Sequence, residues 1–179
     1  CKKGCSPRKR WFCNSKASRV IDAQPPLTIM EHIPDELYKE ILKTIPFVCV
    51  DVVIKNGDSF FLAKRKNQPA QGQWFLPGGR VLKNEKLADA ALRKMSQETG
   101  LEGKTERILG VDETMFPEGP YGDTAHSVNV VFLATTTSPK SAVILDDQND
   151  EYQWYTHIDD TWHPYVKKFL GLAGFAKAD

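Results

Sequence analysis

The chain has 179 residues, a formal net charge of +1 and 41% hydrophobic residues. That length suits one domain, or one domain with a tail, and the apolar fraction is ample for a core. The near-neutral charge gives no case for nucleic acid as the main partner, and no apolar run reaches the roughly 18 residues of a membrane helix.

The charge is unevenly spread. Residues 1–20 hold Lys2, Lys3, Arg8, Lys9, Arg10, Lys16 and Arg19 and no acid. The same segment holds Cys1, Cys5 and Cys13. Three cysteines without a nearby histidine fall short of a zinc site, and a disulfide pair stays open. Met30 reads as the natural start, with residues 1–29 a basic N-terminal extension or leader. A basic nucleic-acid-binding arm and a lipid-modified Cys1 are the alternatives for that segment. No secretion signal is visible, so a cytoplasmic setting is expected.

From Met30 onward the elements follow in order. Pro34-Asp35-Glu36 opens a helix, with proline in the first turn and acids at the positive end of the dipole. Leu37, Ile41 and Leu42 give this helix an apolar face up to Ile45. Phe47–Ile54 is a β-branched run, Asn56-Gly57 a hairpin turn, and Phe60–Lys64 the returning strand. Cys49, within the first run, is expected as a small buried residue. Pro69–Trp74 is a loop, and Phe75-Leu76 leads into Pro77-Gly78-Gly79, where the backbone must turn tightly and approach a ligand. Asn84 is expected to cap a central helix that buries Leu87, Ala90, Ala91 and Met95 and ends at Gly100. Arg107–Thr114 and Ser127–Thr135 read as strands around a loop rich in Pro and Gly. Tyr152–Thr156 is a short strand and Tyr165–Leu172 a closing helix. There is no internal repeat. Strands interleaved with a few helices predict an α/β chain of the α+β type, a mixed β-sheet sandwiched between α-helices.

The chemistry gathers around the central helix. Gly79 is followed by five residues, Glu85, seven residues, Arg93, and an end made of Glu98, Gly100 and Leu101. A diphosphate carries two or more negative charges, and breaking a bond beside it requires their neutralisation by a divalent cation, Arg or Lys. Mg²⁺ takes oxygen ligands in an octahedron and keeps some waters. Glu98 supplies one such oxygen, and the glycine turn can bring the Gly78 carbonyl near it. A lone helical Glu otherwise faces solvent or pairs with Lys94 four residues earlier. Glu85 and Arg93 are expected as an ion pair that fixes the loop on the helix. For Arg93 that structural role stands beside direct phosphate contact. Arg80, next to the glycine turn, is placed to reach a phosphate or to lie on the surface.

This spacing resembles the Nudix box. The segment Leu62-Ala-Lys-Arg65-Lys-Asn-Gln-Pro69-Ala-Gln-Gly72-Gln-Trp74-Phe-Leu-Pro77-Gly-Gly-Arg80-Val resembles the GDP-mannose mannosyl hydrolase branch of the Nudix family. The likeness runs from about Met30 to the closing helix, so residues 30–179 are expected to form the Nudix domain. Lys94 and Gln97 stand where most members carry glutamates, and the branch also lacks those two. An ammonium disfavours extra cations at close range, so a single metal is expected. The resemblance implies Mg²⁺, or Mn²⁺, held by the Gly78 carbonyl, Glu98 and Gln148. It implies Arg65 and Arg80 on a departing diphosphate, Arg93 assisting, and Asp51 near a sugar. It further implies a nucleoside diphosphate sugar as substrate, water attack at the anomeric carbon with inversion, and a homodimer.

The sequence also departs from that branch. Asn149 stands where the branch has a histidine base, and an amide cannot take a proton near neutral pH. Asp147, Asp150 or Glu151 would have to substitute. Ser127 stands where the branch has a nucleotide-binding tyrosine, with His126 beside it, and the loop from Phe116 to Thr124 differs. Two other readings therefore stand beside the first: cleavage of the P–O bond, and a Nudix-fold module that binds a nucleotide sugar without turnover.

Overall fold

The computed structural model describes residues 33–177. The N-terminal extension, its three cysteines and the start at Met30 lie outside the described residues. The elements are α1 (Asp35–Thr44), β1 (Phe47–Asn56), β2 (Ser59–Arg65), β3 (Trp74–Phe75), β4 (Gly78–Arg80) and α2 (Leu87–Thr99). They continue with β5 (Lys104–Phe116), β6 (Ala125–Thr135), a 3₁₀ turn at Lys140–Ala142, β7 (Asn149–Tyr155) and α3 (Pro164–Leu172).

Seven strands form one sheet with the path β3-β2-β1-β6-β5, while β4 joins β1 and β7 joins β2. β1 and β6 run parallel, and the other pairs are antiparallel. The sheet is therefore mixed, as the interleaved pattern predicts. Side chains alternate across it because successive residues of a strand point to opposite faces. Val53, Phe60, Leu62 and Val131 pack with Tyr165, Val166, Phe169 and Leu170 of α3. Val50, Val52, Ile54, Phe61 and Phe132 pack on the other face with Ala90, Ala91 and Met95 of α2. Each fully buried Phe or Leu contributes about 1.5–3 kcal/mol, so the two helical layers hold the sheet between them.

Four local expectations are corrected. Lys86, not Asn84, takes the N-cap of α2, and no side chain caps that end. Asn84 lies instead in the left-handed region with φ 66°, a conformation asparagine tolerates. On α1, Leu37 is exposed, and the partly buried side is Tyr38, Ile41 and Leu42. Tyr38 is drawn inward by Phe47, whose ring centroid is 5.4 Å away. The hairpin pairs Asn56 with Ser59, so its two-residue loop is Gly57-Asp58. Cys49 is only half buried and lines a cleft rather than the core.

Candidate active site

The chain turns twice around one cleft of about 310 Å³. One wall is the Gly78-Gly79-Arg80 strand with α2, and the floor comes from β1 and β6. Six of the seven residues singled out in the sequence line it: Asp51, Arg65, Gly78, Arg80, Glu98 and Gln148. Cys49, Lys94, Thr114, Ser127, Asn129 and Asn149 line it as well.

Gly78 is there because nothing larger fits. β4 pairs with β1 so that Gly78 lies opposite Asp51. A Cβ on Gly78 would collide with the Asp51 carboxylate and come within 2.5 Å of the Val50 carbonyl oxygen. Gly79 has φ 149°, and a Cβ there would lie 2.7 Å from Lys94 Cε. The glycine pair thus brings backbone, carboxylate and ammonium together.

Glu98 is buried, and both its oxygens are engaged. Lys94 Nζ stands 2.7 Å from Oε1. The Gly78 N–H donates to Oε2 at 3.2 Å. Burial pushes the Glu98 carboxyl up, and the Lys94 ammonium opposes that rise. Asp51 is equally buried but meets no cation at contact distance among the described residues. The Tyr165 hydroxyl donates to its Oδ2. Burial pushes the Asp51 carboxyl up to about 7, with the Tyr165 hydrogen bond opposing it. The same burial, with Asp51 beside it, raises the Tyr165 hydroxyl. Cys49 is pushed up to about 12, first by burial and then by Asp51, so its thiol stays neutral at neutral pH.

Cations gather on the same side. Arg65 donates from Nε to the Pro69 carbonyl at 2.6 Å, which fixes its guanidinium in the cleft. Burial lowers its affinity for the proton, and Glu98, Asp51 and Asp146 counter that. Arg80 lies 4.5 Å above the Tyr38 ring and 5.5 Å from Phe47, an aromatic seat that holds the guanidinium at the rim. Arg93 is the one member of the seven that the structure keeps out of the cleft lining. It grips Glu85 through two bonds of 2.6 and 2.8 Å. Its remaining donors go to Gln97 Oε1 at 3.1 Å and the Arg80 carbonyl at 3.0 Å. Glu85 also accepts from the Leu82 N–H at 2.9 Å. Arg93 thus ties the glycine loop to α2, and the pairing holds the Glu85 carboxyl below its usual range.

The C-terminal rim is polar. Gln148 and Asn149 both donate to the Asp146 carboxylate, at 3.3 and 2.9 Å. The Gln148 carbonyl accepts from the Lys66 N–H at 2.9 Å. Asp147, Asp150 and Glu151 do not line the cleft, and Glu151 is bound at 3.0 Å to Lys64 on the surface. The acids that were to replace the missing histidine are therefore turned away.

The donor set can be tested against a divalent cation. Mg²⁺ is commonly held by one or two carboxylates and substrate phosphates and keeps several waters. Glu98, with Gly78 and Gln148 on the same cleft, meets that requirement for one ion. No group of three or more His, Cys, Asp or Glu side chains suited to a metal occurs among the described residues. Lys94 also occupies one oxygen of Glu98. The residues fit a single ion.

Asn129, Thr114 and Tyr165 escaped the sequence reading. Asn129 Nδ2 donates to Thr114 Oγ1 at 3.3 Å, and Thr114 and Ser127 share a hydroxyl contact of 2.9 Å. The available signal was a lone asparagine within the apolar run Val128–Phe132.

Comparison with known proteins agrees with this architecture. The family model described as NUDIX domain matches residues 46–168. The low-salt glycan biosynthesis protein Agl8 of Haloferax volcanii is 33% identical over 140 residues, 77% of this chain and 88% of that protein. An ADP-ribose pyrophosphatase of Methanocaldococcus jannaschii is 37% identical over 98 residues, 55% of this chain and 56% of that protein. Among solved structures, a MutT NUDIX hydrolase from Burkholderia pseudomallei has the same fold, with a TM-score of 0.60 at 23% identity. That match covers 72% of this chain and 98% of that one.

Proposed function

Because this chain belongs to the Nudix family, we propose that it is a divalent-metal-dependent hydrolase of a nucleoside diphosphate sugar, cleaving at the glycosyl carbon. The observation that carries the reading is the Lys94–Glu98 pair, 2.7 Å apart in the cleft wall. Sites that activate water through two metal ions need several carboxylates. This wall offers one carboxylate and an ammonium, so water activation falls to another group.

Asp51 is that group. It lines the cleft, and burial holds its carboxyl at about 7. In the reaction a water oxygen bonds to the anomeric carbon and its proton goes to Asp51. The carbon–oxygen bond to the diphosphate breaks, and its electron pair stays on the departing oxygen. Arg65 and Arg80 neutralise that charge. Gly78, Glu98 and Gln148 would hold Mg²⁺, or Mn²⁺, which supplies further charge neutralisation at the diphosphate. Arg93 acts by holding the loop that carries Arg80.

The glycan-biosynthesis name of the Haloferax volcanii relative supports a sugar-bearing substrate. A second reading, hydrolysis of the P–O bond, draws support from the ADP-ribose pyrophosphatase relative. We extend the first reading to a homodimer, for which the exposed Ile108, Val111 and Met115 of edge strand β5 supply apolar surface.

The test is hydrolysis of GDP-mannose and ADP-ribose with Mg²⁺ in oxygen-18 water, read by mass spectrometry. From GDP-mannose the reading expects label in the free sugar and an unlabelled nucleoside diphosphate. Label in a phosphate product would support P–O cleavage instead. Binding without turnover of either compound would support the non-catalytic module.

A further inference from the structure

Asn129 is 3% exposed and lies on the cleft floor. Its place in β6 calls for an apolar residue, since Val131 two positions on packs into the core on the same face. The amide is held at one end only. Nδ2 donates to Thr114 Oγ1, and Thr114 Oγ1 lies 2.9 Å from Ser127 Oγ. Asn129 Oδ1 has no hydrogen-bond partner among the described residues. An unpaired buried acceptor is costly, and a valine here would avoid that cost.

The chemistry of the open end can be read from its neighbours. Two hydroxyls that share one hydrogen bond have one hydrogen left over. Ser127 also lies beside the Cys49 sulfur, so that hydrogen is available either to the sulfur or to an acceptor that enters the cleft. A sugar hydroxyl donates to the Asn129 acceptor and accepts from the hydroxyl pair through a single atom. The aromatic rings that suit a base, Tyr38 and Phe47, lie at the rim beside Arg80. The Tyr165 hydroxyl that binds Asp51 also lies beside the Asn129 amide, so a group bound at Asn129 lies near Asp51.

We propose that Asn129, backed by the Thr114–Ser127 pair, receives a hydroxyl of the substrate's glycosyl group. This rests on the nucleoside diphosphate sugar reading above. Asn129 thereby sets the preference for a glycosylated diphosphate over the bare nucleotide.

The experiment is isothermal titration, in the cold and before appreciable turnover, of GDP-mannose against GDP and ADP-glucose against ADP. It compares the wild type with Asn129→Leu and Ser127→Ala, each checked by circular dichroism. Asn129→Leu should weaken the preferred glycosylated ligand by about ten- to hundredfold and leave its plain diphosphate within about twofold. Ser127→Ala, at a partly exposed position, should weaken the same ligand by about three- to tenfold. It carries the test alone if Asn129→Leu does not fold. Equal losses for the glycosylated and plain ligands would assign the site to the nucleotide and overturn the proposal. Unchanged selectivity would also overturn it, leaving the amide a role in the fold. If the wild type itself binds neither glycosylated ligand better than its plain diphosphate, the nucleotide-sugar reading fails, a result separate from any effect of the variants.

Discussion

Glu98 and Asp51 line one cleft and are almost equally buried, at 7% and 8% exposure. Burial raises the proton affinity of both. Their partners differ. Glu98 has a full positive charge 2.7 Å away and a backbone N–H on its other oxygen. Asp51 has a tyrosine hydroxyl. A charge offsets desolvation far better than a dipole does. On the proposed reading the pair divides the work: Glu98, paired with Lys94 and the Gly78 N–H, serves as the ligand, while Asp51 sits where it can gain and lose a proton near neutral pH. On that reading, Asp51 stands in for the histidine missing at Asn149.

The largest effect that could break this division is Asp51→Asn. Turnover should fall by about 10²–10⁴-fold, the usual contribution of a general base. The same change should stabilise the fold at alkaline pH. The folded Asp51 binds its proton more tightly than the unfolded chain does. Between the ordinary carboxylate range and about 7, the folded state therefore holds more protons, and stability falls as pH rises. Asparagine removes that loss. Denaturant midpoints above pH 7 should be higher for the variant, and the gain should vanish in acid. Lower midpoints at every pH would show Asp51 to be structural.

Glu98→Gln should cost about 10²-fold in turnover, close to the loss that a chelator inflicts on the wild type. Its effect should be read as the Mg²⁺ concentration needed for half-maximal activity, which must rise. An unchanged metal requirement would remove Glu98 from the ion. Glu85→Gln tests the loop tether rather than the chemistry. It breaks a paired, partly buried contact with Arg93, and should lower stability by about 1–2 kcal/mol in chemical denaturation. The smallest effect is expected from Asn149→His. With Asp51 taking the proton, turnover should change by less than about threefold. A larger gain would return the role of base to the C-terminal rim.

Much of this arrangement was legible in the sequence, where the information is local. The glycine turn, the Glu85–Arg93 tether and the Glu98 end of the helix fall within one short stretch, and fixed spacing predicts their geometry. Phe60–Lys64 likewise read as a returning strand, and its Phe60, Phe61 and Leu62 are all buried. What escaped depends on strands that meet only after folding. Asn129 reaches the cleft because β6 lies parallel to β1, with Asn129 opposite Cys49. Tyr165 reaches Asp51 across 114 positions of sequence. No local period encodes such encounters. Asn84 was misread for a related reason: a capping residue and a left-handed turn residue have the same composition, and only the backbone distinguishes them.

The most direct test of the division between the two carboxylates is a carbon-13 NMR titration of their side chains. Asp51→Asn and Glu98→Gln would assign the two signals. Asp51 should titrate near 7. An Asp51 signal in the ordinary carboxylate range would contradict the assignment of Asp51 as proton acceptor.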